Sequence, residues 1–333
     1  MMLQINHAKK EYSVKHRWTI FITAVFFILT MSGLSPAETV KQRTFASPEE
    51  AVEALVTALR SNDVNALEAI FGPGSRDLIM SGDPVKDQSG RERFLKFYDE
   101  KNRLDETADK VFLSVGDDDW PLPIPIVKRD ALWRFDAKEG MDEILARRIG
   151  RNELSVIQVC LAYVDAQREY VIKDRDTDSL LEYAQKFRSD PGKKNGLYWN
   201  VKEGEEQSPL GPLVAAAHEK GYTAKQSGGK PVPYHGYYYR ILKAQGKNAP
   251  GGAYDYMVNG QMIGGFALVA YPVRYASSGV MTFIVNHDGV VYEKDLSDNT
   301  ENAALAMKLF NPDGTWKKVE KNCQKGEGKD GYK

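Results

Sequence analysis

The chain has 333 residues, of which 42% are hydrophobic and 27% charged, and its formal net charge at pH 7 is −1. This composition is typical of folded globular proteins and excludes a disordered or membrane-embedded chain. The nearly neutral charge balance gives no electrostatic reason to expect nucleic acid as a partner. The length is sufficient for two domains of ordinary size.

The N-terminal segment has the pattern of an export signal. An apolar run, residues 18–31, is followed by the small residues Ser35 and Ala37. The basic residues before it are Lys9, Lys10, Lys15 and Arg17. This order predicts a signal peptide over residues 1–37, cleaved between Ala37 and Glu38, and a periplasmic or extracellular mature chain. The alternative is an uncleaved inner-membrane anchor, because the apolar run is almost long enough to span a membrane.

The next segment predicts a pair of helices. Ser47, Pro48 and Glu50 occupy the N-cap, N1 and N3 positions of a capping box, and an apolar face follows. The residues of that face are Ala51, Val52, Leu55, Val56 and Leu59. A short second helix is expected before Gly72, and a third over residues 90–103.

Strands are expected after these helices. Residues 110–115 alternate between apolar and polar, residues 117–126 are extended because of their prolines, and residues 131–136 form another strand. A helical hairpin followed by strands resembles the cone-shaped fold of nuclear transport factor 2 and its relatives. The resemblance implies an abbreviated cone-like α+β domain over residues 44–150.

Gly150 and Asn152 predict a sharp turn between two helices. Gly150 is expected to end a short helix over residues 141–149, and Asn152 to cap a long helix that runs from Glu153 to about Lys173. We therefore expect a second domain over residues 151–320 and a polar tail over residues 321–333. The long helix is expected to bury Ile157, Cys160, Leu161 and Val164 against a sheet.

The second domain is predicted to contain a helix over residues 213–220 and an antiparallel sheet. Its expected strands are residues 237–243, 253–258, 265–271, 281–286 and 290–294. The turn Asn286–Gly289 makes the last two strands a hairpin. A long helix packed on such a sheet resembles the globular domain of type IV pilins and pseudopilins, on the runs 152–158, 166–170 and 279–291. The fold class expected for the whole chain is α+β.

Several runs of the mature chain resemble a bacterial family described as domain of unknown function 2950. They are residues 45–51, 81–85, 119–125, 147–154, 163–170, 196–199, 207–213, 234–238 and 279–285. The resemblance extends from about Thr44 to Lys318. It implies exported bacterial proteins of one architecture and supplies no activity or catalytic residue.

His235 is the best candidate for a catalytic group. An imidazole titrates near neutrality, and His235 lies in a tyrosine-rich, glycine-punctuated segment. It would act as the general base of an extracytoplasmic hydrolase if the fold supplied a carboxylate. The alternative is a histidine whose ring is satisfied by a tyrosine hydroxyl or a carbonyl group.

Metal and cofactor motifs are weak. Asp117, Asp118 and Asp119 offer oxygen ligands of the kind that calcium prefers, but they lack the ligand spacing of a calcium loop, and a solvated turn is the expected structure. We expect no cofactor. Cys160 and Cys323 are the two cysteines, and export leaves open either a disulfide between them or a buried free Cys160.

The aromatic residues favour a recognition function. Tyr198, Trp199, Tyr237 and Tyr239 lie near glycines and prolines, and tyrosine and tryptophan are well suited to contacts with a protein, glycan or small ligand. Because side chains alternate along a strand, Tyr237 and Tyr239 share one side of it, and either that side or the opposite one is expected in the core. The export signal, two folds that often serve as recognition scaffolds and the lack of a convergent catalytic set predict a non-enzymatic binding or interaction module of the cell envelope. A hydrolase that uses His235 is the alternative. Contact with a membrane is expected only through the signal segment, if it is not cleaved.

Overall fold

The computed structural model describes residues 41–107, 109–222 and 232–320. The predicted signal peptide and its cleavage site at Ala37 and Glu38, the tail at residues 321–333 and Cys323 lie outside these residues. Within them, the helices are α1 (Pro48–Arg60), α2 (Val64–Phe71), α3 (Arg76–Ile79), α4 (Pro84–Glu100), α5 (Ala137–Val171), α6 (Gly211–Glu219) and α7 (Thr300–Ala306). In this part of the chain, no helix is both long enough and apolar enough to cross a membrane.

The strands form two larger antiparallel sheets and two short pairs. The first sheet consists of β1 (Asn102–Glu106), β2 (Lys110–Val115), β3 (Trp120–Pro121), β4 (Ile126–Arg129) and β5 (Leu132–Phe135), in the order β1-β2-β4-β5, with β3 paired to β2. The second consists of β6 (Tyr237–Leu242), β11 (Ala267–Pro272), β12 (Met281–Asn286), β13 (Tyr292–Asp295) and β14 (Lys317–Lys318), in the order β14-β13-β12-β11-β6. The short pairs are β7 (Ala244–Gln245) with β8 (Tyr254–Asp255), and β9 (Met257–Val258) with β10 (Gln261–Met262). The predicted α+β class is confirmed.

The capping box at the start of α1 is confirmed. Ser47 Oγ accepts a hydrogen bond from the Glu50 backbone N–H at 3.2 Å, and the Glu50 carboxylate accepts one from the Ala46 N–H at 2.8 Å. The first bond satisfies a backbone donor that the first helical turn leaves free, and the second holds the residue before the N-cap against the helix. The apolar face behind the cap packs on the first sheet. Its buried residues include Val52, Leu55 and Val56.

The predicted helix break at Gly150 is wrong. α5 runs continuously for 35 residues, with Gly150 and Asn152 in its interior. Glycine lowers helix stability by only about 1 kcal/mol, and contacts on both sides of Gly150 hold the helix in place. Arg148 donates to the Asp77 carbonyl oxygen at 2.6 Å, and Asn152 Nδ2 donates to the Ser278 carbonyl oxygen at 2.9 Å.

Two hydrophobic clusters share α5. Its first half lies against the cluster of α1, α2 and the first sheet, whereas its second half packs on β11 and β12. As predicted, Ile157, Cys160 and Val164 are buried; Leu161 is only partly buried, and Leu154 is 51% exposed. The expected long helix on an antiparallel sheet is confirmed. The proposed boundary between domains 44–150 and 151–320 falls inside this helix, and the division into two domains stays a prediction.

Two further predictions need adjustment. The helix predicted over residues 90–103 is α4. It begins at Pro84, six residues before the predicted start, because Asp83 caps it, and residues 102 and 103 belong to β1. The expected strand over residues 253–258 is divided between β8 and β9. The predicted hairpin turn is confirmed, since the Gly289 N–H donates to the Asn286 carbonyl oxygen at 2.9 Å and Gly289 has a φ of +76°.

Candidate functional site

His235 lies in a two-residue turn that leads into β6. Tyr234 and Tyr237 exchange backbone hydrogen bonds across the turn, and His235 and Gly236 have φ values of +54° and +76°. Two successive positive φ values are the pattern of a type I′ turn, in which glycine is favoured at the second position. A side-chain carbon added at Gly236 would lie 2.6 Å from Asn152 Nδ2, so this position is closed to larger residues.

The imidazole of His235 is buried, with 7% of the residue exposed, and its ring contacts the edge of the Tyr234 ring at a centroid distance of 4.3 Å. Nδ1 is buried and has no hydrogen-bond partner. Burial, and then the charges of Lys86 and Lys220, lower the pKa of His235 to about 3, so the ring is neutral at pH 7. Among the described residues, no carboxylate is hydrogen-bonded to this ring.

Asp83 is the centre of a buried polar network that sequence reasoning missed. The residue is completely buried, and its Oδ2 accepts hydrogen bonds from Tyr222 Oη at 2.7 Å and from the Gly236 N–H at 2.9 Å. Its Oδ1 accepts the Lys86 N–H at 3.2 Å, which caps α4. The Tyr222 hydroxyl also accepts the His235 N–H at 3.3 Å. The carboxylate therefore joins the start of α4, the segment after α6 and the turn before β6.

A second set of contacts fixes α5 beside this network. Glu153 Oε1 accepts the backbone N–H groups of Val280 and Met281, each at 2.9 Å. Arg274 donates to the Met80 carbonyl oxygen at 2.9 Å and forms an ion pair with Asp77. Together with the bonds of Arg148 and Asn152, these contacts attach the segment before α4 and the loop before β12 to the middle of α5.

The start of α4, the middle of α5, the segment after α6 and the turn before β6 meet at one place, which we call the junction. Four cations lie around the junction, and we call them the cationic surface: Lys86, Arg93, Arg151 and Lys220. Lys86 and Arg93 are seven residues apart, so they lie on one face of α4, and a side-chain carbon added at Gly90 between them would meet no atom within 4 Å. None of the four cations forms an ion pair with an acidic group among residues 41–107, 109–222 and 232–320.

The cations of this surface repel one another. Burial lowers the pKa of Lys86, and Lys220, Arg151 and Arg93 lower it further, whereas Asp83 acts in the opposite direction. Partial desolvation, followed by the charge of Arg93 and of other nearby arginines, lowers the pKa of Arg151. Both shifts have the sign that burial and neighbouring positive charge each produce, and the charge of Asp83 offsets only part of the shift of Lys86.

Two of the four residues of the predicted aromatic recognition surface are buried and two are partly exposed, and their role in recognition stays a prediction. Tyr237 is completely buried, with its hydroxyl donating to the Met281 carbonyl oxygen at 2.9 Å, whereas Tyr239 is partly buried and donates to the Tyr234 carbonyl oxygen at 3.1 Å. Burial raises the pKa of both tyrosines. Tyr237 therefore packs inside the second cluster, and Tyr239 packs against the same cluster while part of its side chain stays exposed.

Trp199 is also buried, beneath two cations. The guanidinium of Arg175 lies 5.0 Å from its ring centroid and the ammonium of Lys194 lies 5.3 Å from it. Both cations contact Glu206, and hydrogen bonds from the cations around this carboxyl lower its pKa to about 2. Tyr198 remains partly exposed, and its hydroxyl donates to Asn200 Oδ1 at 3.0 Å.

The structure does not gather Asp117, Asp118 and Asp119 into a ligand set. Asp119 forms an ion pair with Lys101 at 2.9 Å, and its neighbours are exposed in the turn before β3. Among the described residues, one group of three acids has oxygens within 4.8 Å of one another: Asp174, Asp176 and Asp178. Their spacing at every second residue is a sequence signal that the prediction did not use. All three are exposed, and Asp174 already accepts backbone N–H groups from Thr177 and Ser179.

Cys160 is a buried free cysteine on α5, and burial raises the pKa of its thiol to about 12. A thiol with so high a pKa is protonated at neutral pH and is a poor nucleophile. It packs with Ile157 and Val164 as a small apolar side chain.

The runs that carry the family resemblance meet at the junction. Residues 81–85, 147–154, 234–238 and 279–285 contribute Asp83, Arg151, His235 and the partners of Glu153, although they are far apart in the chain. No curated protein and no solved structure matches the chain. A family model, Protein of unknown function (DUF2950), matches residues 42–319. The chain therefore belongs to this family of proteins of unknown function.

Proposed function

We propose that the chain is an exported, non-enzymatic binding protein that holds a negatively charged ligand or partner on the cationic surface. The observation that carries the proposal is that, among the described residues, none of Lys86, Arg93, Arg151 and Lys220 forms an ion pair with an acidic side chain. Cations that crowd together without counter-charges destabilise the folded chain unless something else neutralises them, and such perturbed groups are concentrated at functional sites.

The state of His235 and Asp83 supports binding rather than catalysis. A general base needs to lie within hydrogen-bond reach of the proton that it removes and to be oriented by another group. Instead, His235 is buried against Tyr234, and the oxygens of Asp83 are occupied by three donors. Two grooves, of about 340 Å³ on α1–α2 and of about 240 Å³ beside β13, contain no residue of the His235 turn in their linings.

Export is part of the proposal and rests on the N-terminal sequence pattern alone. Its test is the intact mass of the protein recovered from the envelope fraction. The expected mass is that of a chain that begins at Glu38, because Ser35 and Ala37 are the small residues that signal peptidase requires before its cleavage site. A mass that retains residues 1–37, in protein that sediments with membranes, would identify a signal anchor instead.

The binding proposal is tested with a panel of anions. Ligands that bind only the folded chain raise its unfolding temperature, Tm. We expect at least one among phosphate, sulfate, a dicarboxylate and an acidic saccharide, compared at constant ionic strength, to raise the Tm of the wild type. The variant Lys86→Gln is expected to lose this response.

Lys96→Gln is the matched control for that panel. Lys96 is on the same helix, is exposed and forms an i,i+4 pair with Glu100 at 3.7 Å. The control removes the same charge outside the cationic surface, so it should retain the wild-type response. If no anion raised the Tm, or if Lys86→Gln responded as the wild type does, the proposal would be contradicted.

A further inference from the structure

We propose that the group bound by the cationic surface is a phosphoryl group, presented as inorganic phosphate, as a soluble phosphomonoester or as a phosphomonoester lipid headgroup. This inference rests on the proposed function and specifies the chemistry of the same site.

Several parts of the chain bring the cations together. The segment after α6 lies against the first turn of α4, since Tyr222 Oη reaches Asp83 and a side-chain carbon added at Gly221 would lie 3.7 Å from Val85 Cγ1. This places Lys220 beside Lys86. The close approach of Asn152 to Gly236 brings the middle of α5, and with it Arg151, to the same junction.

The amount of charge favours a phosphoryl group over a carboxylate. A phosphomonoester carries a charge of about −1.5 to −2 at pH 7 and has three strong acceptor oxygens. A carboxylate carries a single charge and has two oxygens. The four cations form no ion pair within the part of the chain that the structure describes, so they gain more from the ligand that neutralises more charge. Lys86 is partly buried and Arg151 is partly desolvated, which strengthens this preference. Lysine supplies a point charge and arginine a fork of donors, and both are common phosphate ligands.

His235 separates phosphate from sulfate. Its Nδ1 is buried, unpaired and close to Lys86 and Lys220. An unpaired buried polar atom destabilises the fold by about 1–3 kcal/mol, and a ligand that supplies its partner recovers this loss. Inorganic hydrogen phosphate carries two negative charges and offers both an O–H and free oxygens, so it can pair with either tautomer of the neutral ring, whereas the oxygens of a phosphomonoester dianion pair with the tautomer that has its proton on Nδ1. Sulfate has no proton to donate at neutral pH. The surrounding side chains cover Nδ1, so this contact requires them to move apart locally.

Equilibrium dialysis of the purified chain against labelled inorganic phosphate, at pH 7 and constant ionic strength, tests the inference. We expect saturable binding at one site. The affinity should fall about tenfold or more in Lys86→Gln and in Arg151→Gln. It should change less than about threefold in Arg151→Lys, which keeps the charge.

Two control variants remove one positive charge from the same helices outside the cationic surface: Lys96→Gln on α4 and Lys138→Gln on α5. Both should bind phosphate as the wild type does. Unfolding midpoints show that each variant is folded under the conditions of dialysis. The inference would be overturned if the folded wild type did not bind phosphate, or if all variants bound it equally.

The outcomes also separate this inference from the proposed function. If sulfate or a dicarboxylate bound in a Lys86-dependent manner and phosphate did not, the phosphoryl group would be the wrong chemistry while the anion-binding function would stand. If none of these anions bound, both would fail.

Binding to vesicles distinguishes the sources of the phosphoryl group. Vesicles of phosphatidylcholine with phosphatidic acid present a phosphomonoester headgroup, and vesicles of phosphatidylcholine alone serve as the control. If the chain binds vesicles that contain phosphatidic acid but not the control vesicles, and Lys86→Gln abolishes this binding, the ligand is a lipid headgroup. If the chain binds free phosphate and neither kind of vesicle, the ligand is soluble.

Discussion

Tyr222 Oη lies 2.7 Å from Asp83 Oδ2, and this hydrogen bond joins two residues that are 139 positions apart in the chain. The carboxylate is completely buried, and the same Oδ2 accepts the Gly236 N–H. The pair therefore connects the start of α4 to the turn that carries His235, and it positions the cations on either side.

Tyr222→Phe tests the strength of this connection. The substitution removes one donor from a buried carboxylate, so we expect the free energy of unfolding to fall by about 1–3 kcal/mol. Tyr198→Phe is the matched control, because the Tyr198 hydroxyl bonds to the exposed Asn200 and its loss should change stability by less than about 0.5 kcal/mol. Urea denaturation measures both, and equal losses in the two variants would mean that Asp83 does not depend on Tyr222.

Ile157→Ala tests how α5 packs on the second sheet. Ile157 is buried in the second hydrophobic cluster, so its truncation should lower the free energy of unfolding by about 2–5 kcal/mol. Leu154→Ala, one turn earlier on the same helix, removes a side chain that is half exposed and should lower it by well under 1 kcal/mol. Denaturation midpoints decide the matter. A loss at Leu154 that matched the loss at Ile157 would contradict the orientation of the helix.

His235 predicts a loss of stability in mild acid. Its pKa is about 3 in the folded chain, below the ordinary value of 6.5, because of burial and the charges of Lys86 and Lys220; Tyr222 and Tyr234 are the other titratable groups against it. Protonation therefore favours the unfolded chain. The contribution of His235 to the free energy of unfolding is therefore highest above about pH 6.5 and decreases as the pH falls toward 3.

His235→Asn removes this dependence, and asparagine tolerates the positive φ of the turn. Between pH 7 and pH 5, the free energy of unfolding of the wild type should fall by on the order of 2 kcal/mol more than that of the variant. His218→Asn, which changes an exposed histidine on α6, should follow the wild type. Parallel curves for the wild type and His235→Asn would show that the ring is not held neutral.

Local sequence signals predicted the elements well where a cap or an apolar face determined them. The capping box at Ser47, the turn before Gly289 and the apolar face around Ile157 each depend on neighbours within a few residues. Gly150 misled the prediction because a glycine in a helix costs little compared with the contacts that hold α5 on both sides. The Asp83–Pro84 pair carried a readable cap signal for α4 that the prediction did not use.

The candidate site was harder to predict, since its residues come from distant segments. His235 was selected from the sequence for its chemistry, but its burial and its lack of a carboxylate partner follow from tertiary packing. Lys86 and Lys220 carry no motif, and the bond between Tyr222 and Asp83 joins the two distant segments on which they lie. Strand alternation left open which side of β6 faces the core, and the cover provided by α5 and the neighbouring strands buries Tyr237 completely and Tyr239 in part.

The most direct test of the central claim compares what the wild type and a Lys86→Gln, Arg151→Gln double variant retain from an envelope extract at constant ionic strength. Each protein is immobilised, and the retained material is eluted and analysed by mass spectrometry. The cationic surface predicts that the wild type, and a Lys96→Gln, Lys138→Gln double control, retain a negatively charged component that the double variant does not. Retention of the same components by all three proteins, with the double variant folded, would contradict the assignment of binding to this surface.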